Sequence, residues 1–229
     1  MNLVEQARDP LMRNRNILFE LLLVVAITYG LMYFLRGSPA KGLVIFLPVA
    51  YVLVEFRFRH RSWRELGITR HGFVKGIIAN WHLFVIVALV LQVLVPLVSS
   101  LLLPDYLQHV LGRLPWLPSA GVAALLSFLA LTAFSTFIEE LVFRGLIQER
   151  LGWFNPQGVA MVVASVLFGI SHWAPGNPTV VLADISGVAL DGIFYGLIYA
   201  RTKSIVVSWV AHFLADVVGL WMLLVMVGV

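Results

Sequence analysis

The sequence is dominated by long apolar runs separated by short polar, glycine or proline-rich breaks. A helix needs roughly 20 apolar residues to cross a bilayer. The runs that approach or exceed this length cover residues 17–35, 42–56, 76–103, 120–149, 157–173, 180–200 and 204–227. The second and fifth are short, so we expect one of them to be tilted, kinked or partly inserted. Pro96 should kink the third.

Composition identifies a bilayer as the solvent. The 229 residues are 60% hydrophobic and 12% charged, whereas soluble domains are about 45–50% apolar and about 25% charged. The length fits a single transmembrane domain over residues 1–229. The chain contains no cysteine, which excludes disulfides, a thiolate zinc site and a cysteine nucleophile. The prediction is an all-α, polytopic bundle of about seven to eight membrane helices.

Lysine and arginine residues are distributed unevenly between the two sides of this predicted bundle. The loop between the second and third segments is rich in arginine, and twelve cationic residues fall on its side against three on the other. By the positive-inside rule, that loop and the N-terminal segment 1–16 are cytoplasmic. Clusters of this kind orient a membrane protein, so we expect no nucleic-acid partner.

Ionisable residues also occur inside the apolar segments, where hydropathy predicts lipid. They are Glu139, Glu140 and Arg144 in the fourth segment, His172 in the fifth, and His212 and Asp216 in the seventh. Each charge at the bilayer centre costs about 2.5–3.5 kcal/mol on insertion scales. So many charged groups therefore indicate function and predict an intramembrane polar cavity.

The spacing of these residues assigns them to helix faces. Glu140 and Arg144 are four residues apart, so they can pair on one face, and the same holds for His212 and Asp216. Glu139 is rotated by about 100° from Glu140, so the two carboxylates should have different roles. We expect Glu140 to pair with Arg144 while Glu139 faces the cavity.

These residue types can activate water. The helix rise brings Glu140, His212 and His172 to depths of roughly 15, 12 and 23 Å. We expect Glu139 and His172 to deprotonate a water molecule and His212, oriented by Asp216, to stabilise the oxyanion. That mechanism needs no cofactor. The alternative is a zinc site with Glu139, His172 and His212 as ligands, and spacing does not decide between them.

Other polar and small residues fit weaker predictions. Asp184 and Asp191 share a face of the sixth segment and could line the cavity, or Asp184 could lie at its mouth. Gly192 and Gly196 form a small-residue stripe that is typical of close helix packing.

The motif order Glu-Glu-x-x-x-Arg, Phe-x-x-x-His and His-x-x-x-Asp on successive helices resembles the CPBP family. These are the CAAX-protease and bacteriocin-processing intramembrane proteases, also called the Abi family. Two shorter segments, residues 63–68 and 199–205, are also similar to that family's sequences. The resemblance covers roughly residues 60–220.

This resemblance implies a glutamate-dependent intramembrane endopeptidase in a prokaryotic cell membrane. Its partners would be the bilayer and a membrane-embedded or lipidated peptide substrate. By matching motif positions, Glu139 and His172 would activate water, His212 and Asp216 would form the oxyanion side, and Glu140 and Arg144 would support them.

Position 216 departs from the pattern of the prenyl-protein proteases, which carry Asn there. An ionised Asp216 cannot donate to an oxyanion, so it would orient His212 or be protonated. Prenylated C-termini, bacteriocin leaders and C-terminal sorting anchors all stay open as substrates.

Two other functional classes compete with the protease. One is a non-catalytic immunity or scaffold protein with the same fold, and the other is a proton-coupled transporter. The chain lacks the inverted repeats that many transporters show.

Overall fold

The protein is a bundle of helices. The computed structural model describes residues 10–36, 38–59, 62–69, 72–113 and 122–228, and within these ranges it contains eight helices and a short 3-10 helix, Pro39–Ile45. The helices are α1 Pro10–Phe34, α2 Phe46–Phe58, α3 Phe73–Leu102, α4 Tyr106–Arg113, α5 Val122–Leu151, α6 Gln157–Ser171, α7 Pro178–Thr202 and α8 Ile205–Val227. Residues 114–118, a proline-containing break between the third and fourth apolar runs, lie outside the described residues.

Most of the helices are long enough to cross a bilayer. In the described part of the chain, five helices have the length and apolarity of a span, namely α1 from Asn16 onward, α3, α5, α7 and α8. The two remaining predicted segments correspond to α2, with 13 residues, and α6, with 15. Large apolar side chains such as Phe19, Leu101 and Trp221 face outward. The prediction of a polytopic, integral membrane bundle is confirmed.

Two of the long helices widen into π-helical turns. In α3 the π segment is Ile86–Leu94, and it ends just before the α-helical turn that holds Pro96. Proline removes a backbone donor and its ring crowds the carbonyl four residues earlier, so the helix departs from regular α geometry here. In α5 the π segment is Leu141–Gln148, and it begins directly after Glu140. Segments of this kind often occur at functional sites.

Helices α6 and α7 pack with their backbones in close contact. A Cβ atom at Gly169 would lie 2.6 Å from the carbonyl oxygen of Ile185, and one at Gly192 would lie 3.1 Å from Ser165. Gly196 lies against both α5 and α6. The prediction that Gly192 and Gly196 mediate helix packing is confirmed. This packing brings the end of α6 next to the polar face of α5.

The start of α8 is fixed by the segment that precedes α3. The backbone N–H of Ile205 donates to the carbonyl of Gly67 at 2.8 Å. Gly67 has φ +77°, a left-handed conformation that glycine adopts without strain. The Ser204 hydroxyl caps α8 by accepting from the Val207 N–H at 3.4 Å. The two segments singled out in the sequence, 63–68 and 199–205, therefore meet.

A buried ionic cluster joins α1, α2 and α5 at the same end of the bundle. Arg150 is fully buried and donates to Glu55 at 2.6 Å. Arg59 binds the other oxygen of Glu55 at 2.8 Å and also reaches Glu20 at 2.6 Å. Tyr51 donates to the same Glu20 oxygen at 2.7 Å. The cluster anchors the end of α5 whose middle carries the candidate site.

Candidate active site

Glu140 is the centre of a buried polar cluster on α5. Its side chain is inaccessible to solvent and is surrounded by three donors. The Ser208 hydroxyl donates to Oε2 at 2.5 Å, and Nδ1 of His212 lies 3.0 Å from Oε1. The Arg144 guanidinium forms an ion pair with Oε1 at 3.3 Å. A buried carboxylate is tolerated when it is paired in this way.

Arg144 is held on several sides at once. Its NH2 group donates to the carbonyl of Gly192 at 2.8 Å, which is accessible because glycine has no side chain. Its guanidinium also lies over the rings of Phe168 and Tyr195, at 5.1 and 5.4 Å from their centres. The predicted pairing of Glu140 with Arg144 is confirmed, and this pair fixes α5 against α7.

His212 connects Glu140 with two more exposed carboxylates. Its ring stacks on Tyr195 with centres 4.4 Å apart. Its Nε2 atom lies 3.7 Å from Oε2 of Glu139 and 3.7 Å from Oδ1 of Asp216. Both distances exceed the normal range of about 2.7–3.2 Å for a direct hydrogen bond.

The close carboxylate partner of His212 is therefore Glu140, whereas Asp216, which was expected to orient this ring, lies farther away at 3.7 Å. The reason is that Glu140 projects from the facing helix straight at Nδ1, at 3.0 Å. Asp216 lies on the same helix as His212 and reaches only the outer nitrogen.

The two adjacent glutamates have different environments, as their spacing predicted. Glu140 is sealed by three donors, whereas the Glu139 side chain is 26% exposed and that of Asp216 is 39% exposed. Glu139 can therefore bind a further molecule beside Nε2 of His212, and Glu140 cannot.

His172 is placed at the C-terminal end of α6. Its Nδ1 atom lies 2.9 Å from the carbonyl of Phe168. Because a carbonyl only accepts, Nδ1 carries the hydrogen in this contact and Nε2 keeps a lone pair. The Phe168 ring meets His172 edge-on at 4.8 Å and His212 at 5.5 Å. Phe168 thus separates the two imidazoles.

The candidate zinc ligands do not converge. Among the described residues, no group of three or more His, Asp or Glu side chains is arranged to hold a metal ion. Glu139 and His212 approach each other, but the Phe168 ring lies between His212 and His172. The three residues therefore do not fit a metal centre in this geometry.

The structure thus brings five of the six predicted residues into one connected group, with His172 across the Phe168 ring.

Residues 119–218 match a family model described as type II CAAX prenyl endopeptidase Rce1-like. This segment of the chain is therefore similar to the Rce1-like family. That family is one of proteases, and the resemblance expected from the three motifs is confirmed.

All six candidate residues lie inside the Rce1-like segment. The match begins at residue 119, whereas the expected resemblance began near residue 60. No curated protein and no solved structure matched the chain.

Two further residues of the Rce1-like segment belong to the site. The Ser208 hydroxyl donates to Glu140, and its oxygen lies 3.0 Å from the carbonyl of Tyr195. The Tyr195 ring in turn supports His212. The sequence motifs did not include Ser208. Its position four residues before His212, on the same helix face, is the signal that could have placed it here.

The aspartates of α7 lie at the edges of the Rce1-like site. Asp191 accepts from Gln92 of the α3 π segment at 2.8 Å. Asp184 accepts from Arg113 of α4 at 2.8 Å. Both partners lie outside the matched segment. Asp184 lies in the second turn of α7, near the start of that helix, which was one of its two expected placements.

Proposed function

We propose that the chain is an intramembrane endopeptidase in which Glu139 and His172 activate water and His212 stabilises the oxyanion. The observation that carries this proposal is the contrast between neighbouring glutamates. Glu140 is held by two hydrogen bonds and one ion pair, while Glu139 is partly exposed and lies 3.7 Å from His212. A fixed donor set beside a free carboxylate is the arrangement that general base catalysis requires.

The base in this proposal is the pair Glu139 and His172. The Glu139 carboxylate accepts a hydrogen bond from the attacking water, and Nε2 of His172 supplies a second acceptor because Nδ1 is committed to Phe168. Removing water from around these groups strengthens their interactions, since the surrounding helices supply a low dielectric. The water oxygen then attacks the carbonyl carbon of the scissile peptide.

His212 supplies the positive charge that stabilises the developing oxyanion. Glu140 accepts from Nδ1, and Nε2 faces the position between Glu139 and Asp216. In this proposal His212 is the imidazolium, stabilised by the three neighbouring carboxylates, with a proton on each nitrogen, so Nε2 can donate. That proton stabilises the oxygen that becomes negative when the C–O bond forms. When the tetrahedral intermediate collapses, the C–N bond breaks. The proton taken from water by Glu139 and His172 passes to the leaving amine nitrogen.

We propose a CAAX-type substrate, a peptide that is held at the membrane by a lipid. The support for it is the family match over residues 119–218, together with a bundle whose outer surface is apolar. Bacteriocin leaders and C-terminal sorting anchors are the other substrates to compare. Asp216, which is 39% exposed, lies where the substrate would pass and is the residue expected to tune this choice.

The proposed topology places the N-terminus in the cytoplasm of a prokaryotic cell. One end of the bundle is rich in cationic residues. It holds Arg59, Arg201 and Lys203, and the helix ends at Arg150, Gln157 and Ile205 lie there too. Lys41 and Arg113 lie at the other end, beside Trp173 and Asp184. The positive-inside rule makes the first of these ends cytoplasmic.

The test is cleavage of a quenched, farnesylated CAAX peptide by the purified protein in neutral detergent. Glu139→Gln and His172→Ala should each lower kcat by about 100-fold or more, the usual contribution of a general base. Glu20→Gln is the matched control, because Glu20 is a partly exposed carboxylate remote from the site. Thermal melting should show that all three variants are folded.

Several results would contradict the proposal. Full activity in Glu139→Gln would exclude it as the base. Loss of activity in a chelator that zinc restores would favour a metalloenzyme. Proton uptake that depends on Glu139, without cleavage of any peptide in a panel of lipidated, leader and anchor substrates, would favour transport.

A further inference from the structure

Two cationic side chains lie near the turn that follows His172. Lys41 donates from Nζ to the carbonyl of Trp173 at 2.8 Å, and Trp173 directly follows His172. Arg113, at the end of α4, donates from NH2 to Asp184 at 2.8 Å. Lys41 and Arg113 therefore form a basic pole beside the segment that follows His172.

The basic pole is held in place by α4. The His109 ring lies so close to the 172–177 turn that a Cβ at Gly176 would be 2.8 Å from its Nδ1. Nε2 of the same ring lies 3.3 Å from the carboxylate of Asp184, and both side chains are buried. This contact joins α4 to α7, so Arg113 is carried on a fixed element and is not a freely moving surface arginine.

Arg113 has binding capacity that the described residues do not use. A guanidinium has five N–H donors, and here one of them binds Asp184. Its Nε atom is buried and has no hydrogen-bond partner among the described residues, although its side chain as a whole is 18% exposed. A buried donor without a partner costs free energy. The arrangement is completed by a planar anion that takes two N–H bonds, as a carboxylate does.

We propose that Arg113, assisted by Lys41, binds the C-terminal carboxylate of the peptide substrate. This proposal rests on the proposed peptidase function and specifies its substrate class. A peptide whose carboxylate reaches Arg113 passes His172 and presents a nearby upstream bond to Glu139 and His212. The enzyme is then specific for bonds close to a free carboxyl terminus, and Asp184 holds Arg113 in position until substrate arrives.

The test compares two peptides that are identical except at the carboxyl terminus, one a free acid and the other a carboxamide. In neutral detergent, the wild-type protein should cleave the free acid with a kcat/KM about 10-fold higher or more, since hydrogen bonds to charged groups are the strong class. The difference should lie mainly in KM. Arg113→Gln should remove the preference, and Arg113→Lys should keep part of it.

Arg36→Gln is the matched control. Arg36 is an exposed arginine that contacts Tyr33, and its replacement should leave the preference for the free acid intact. If Arg113→Gln does not fold, Lys41→Gln serves as the second variant and should weaken the preference. Equal cleavage of acid and amide by the wild-type protein would overturn the proposal. An equal loss for both peptides in Arg113→Gln would also overturn it.

Failure of the carboxylate site can be distinguished from failure of the peptidase function. The binding of both fluorescent peptides is measured on the Glu139→Gln protein, where no turnover is expected. If the wild-type protein cleaves neither peptide but this variant still binds the acid about 10-fold more tightly, the peptidase proposal fails and the carboxylate site stands. If cleavage depends on Glu139 but neither assay distinguishes the two peptides, the peptidase proposal stands and the carboxylate site fails.

Discussion

Glu140 and His212, 72 residues apart in the chain, meet at 3.0 Å in the interior of the bundle. The contact joins α5 to α8 and fixes which nitrogen of His212 faces the reaction site. Since Glu140 also holds Arg144 and Ser208, it organises the site without having a free oxygen for water. The second glutamate of the motif is thus a positioning residue, while the first is the proposed base.

Replacing Glu140 should therefore damage the fold and not only the reaction. Glu140→Ala leaves the buried Arg144 without its carboxylate, and breaking such a pair costs about 3–5 kcal/mol. We expect the free energy of unfolding, measured by denaturant titration in micelles, to fall by that amount. Glu139→Ala is the comparison, because its side chain is partly exposed, and it should change stability much less. Equal stability losses in the two variants would contradict this assignment.

Ser208 should contribute to stability through its bond to Glu140. A hydrogen bond to a charged group contributes about 1.5–3 kcal/mol, so Ser208→Ala should lower the free energy of unfolding by about that range. Ser135→Ala removes a hydroxyl that bonds only within its own helix, to Thr132, and should have a smaller effect. A neutral Ser208→Ala substitution would show that the short contact at 2.5 Å contributes little.

The sequence was informative where residues share a helix and less so where they meet across helices. The pairing of Glu140 with Arg144 followed from their spacing, and the apolar runs predicted the spans. Nothing in the spacing showed that Glu140 would reach His212 more closely than Asp216 does, since that depends on how α5 and α8 pack. Helix α4 was also missed, because its eight residues are too few for a membrane span.

Asp216→Asn should retain peptidase activity within about 10-fold of the wild type. Asp216 lies 3.7 Å from Nε2 of His212, beyond direct hydrogen-bond length, and Glu140 already orients the ring. The amide is isosteric, and its N–H can donate to an oxyanion, which an ionised carboxylate cannot do. The ratio of kcat/KM between prenylated and unprenylated peptides is the second readout. A loss of activity as large as that of Glu139→Gln would instead make Asp216 part of the base.

In the ionic cluster at the C-terminal end of α5, the stability lost on removing a carboxylate should depend on how deeply that carboxylate is buried. Glu55→Ala leaves Arg150, which is fully buried, without its 2.6 Å partner, and we expect a loss of about 3–5 kcal/mol. Glu20→Ala removes a carboxylate whose side chain is 38% exposed, and such pairs contribute about 0–1 kcal/mol. Denaturant titration of both variants checks this. Similar losses would mean that the cluster is not organised around Arg150.

Gly169 should tolerate no side chain, because its neighbour is backbone. A Cβ at this position would lie 2.6 Å from the Ile185 carbonyl oxygen, so α6 and α7 would have to move apart. Overpacking of this kind typically costs about 1–3 kcal/mol. Since Gly169 lies three residues before His172, the movement should also displace the proposed base and lower kcat. Gly187→Ala is the control, because no atom lies within 4 Å of a Cβ there, and it should preserve both stability and activity. If Gly169→Ala matched this control, the close approach of the two helices would not be needed to place His172.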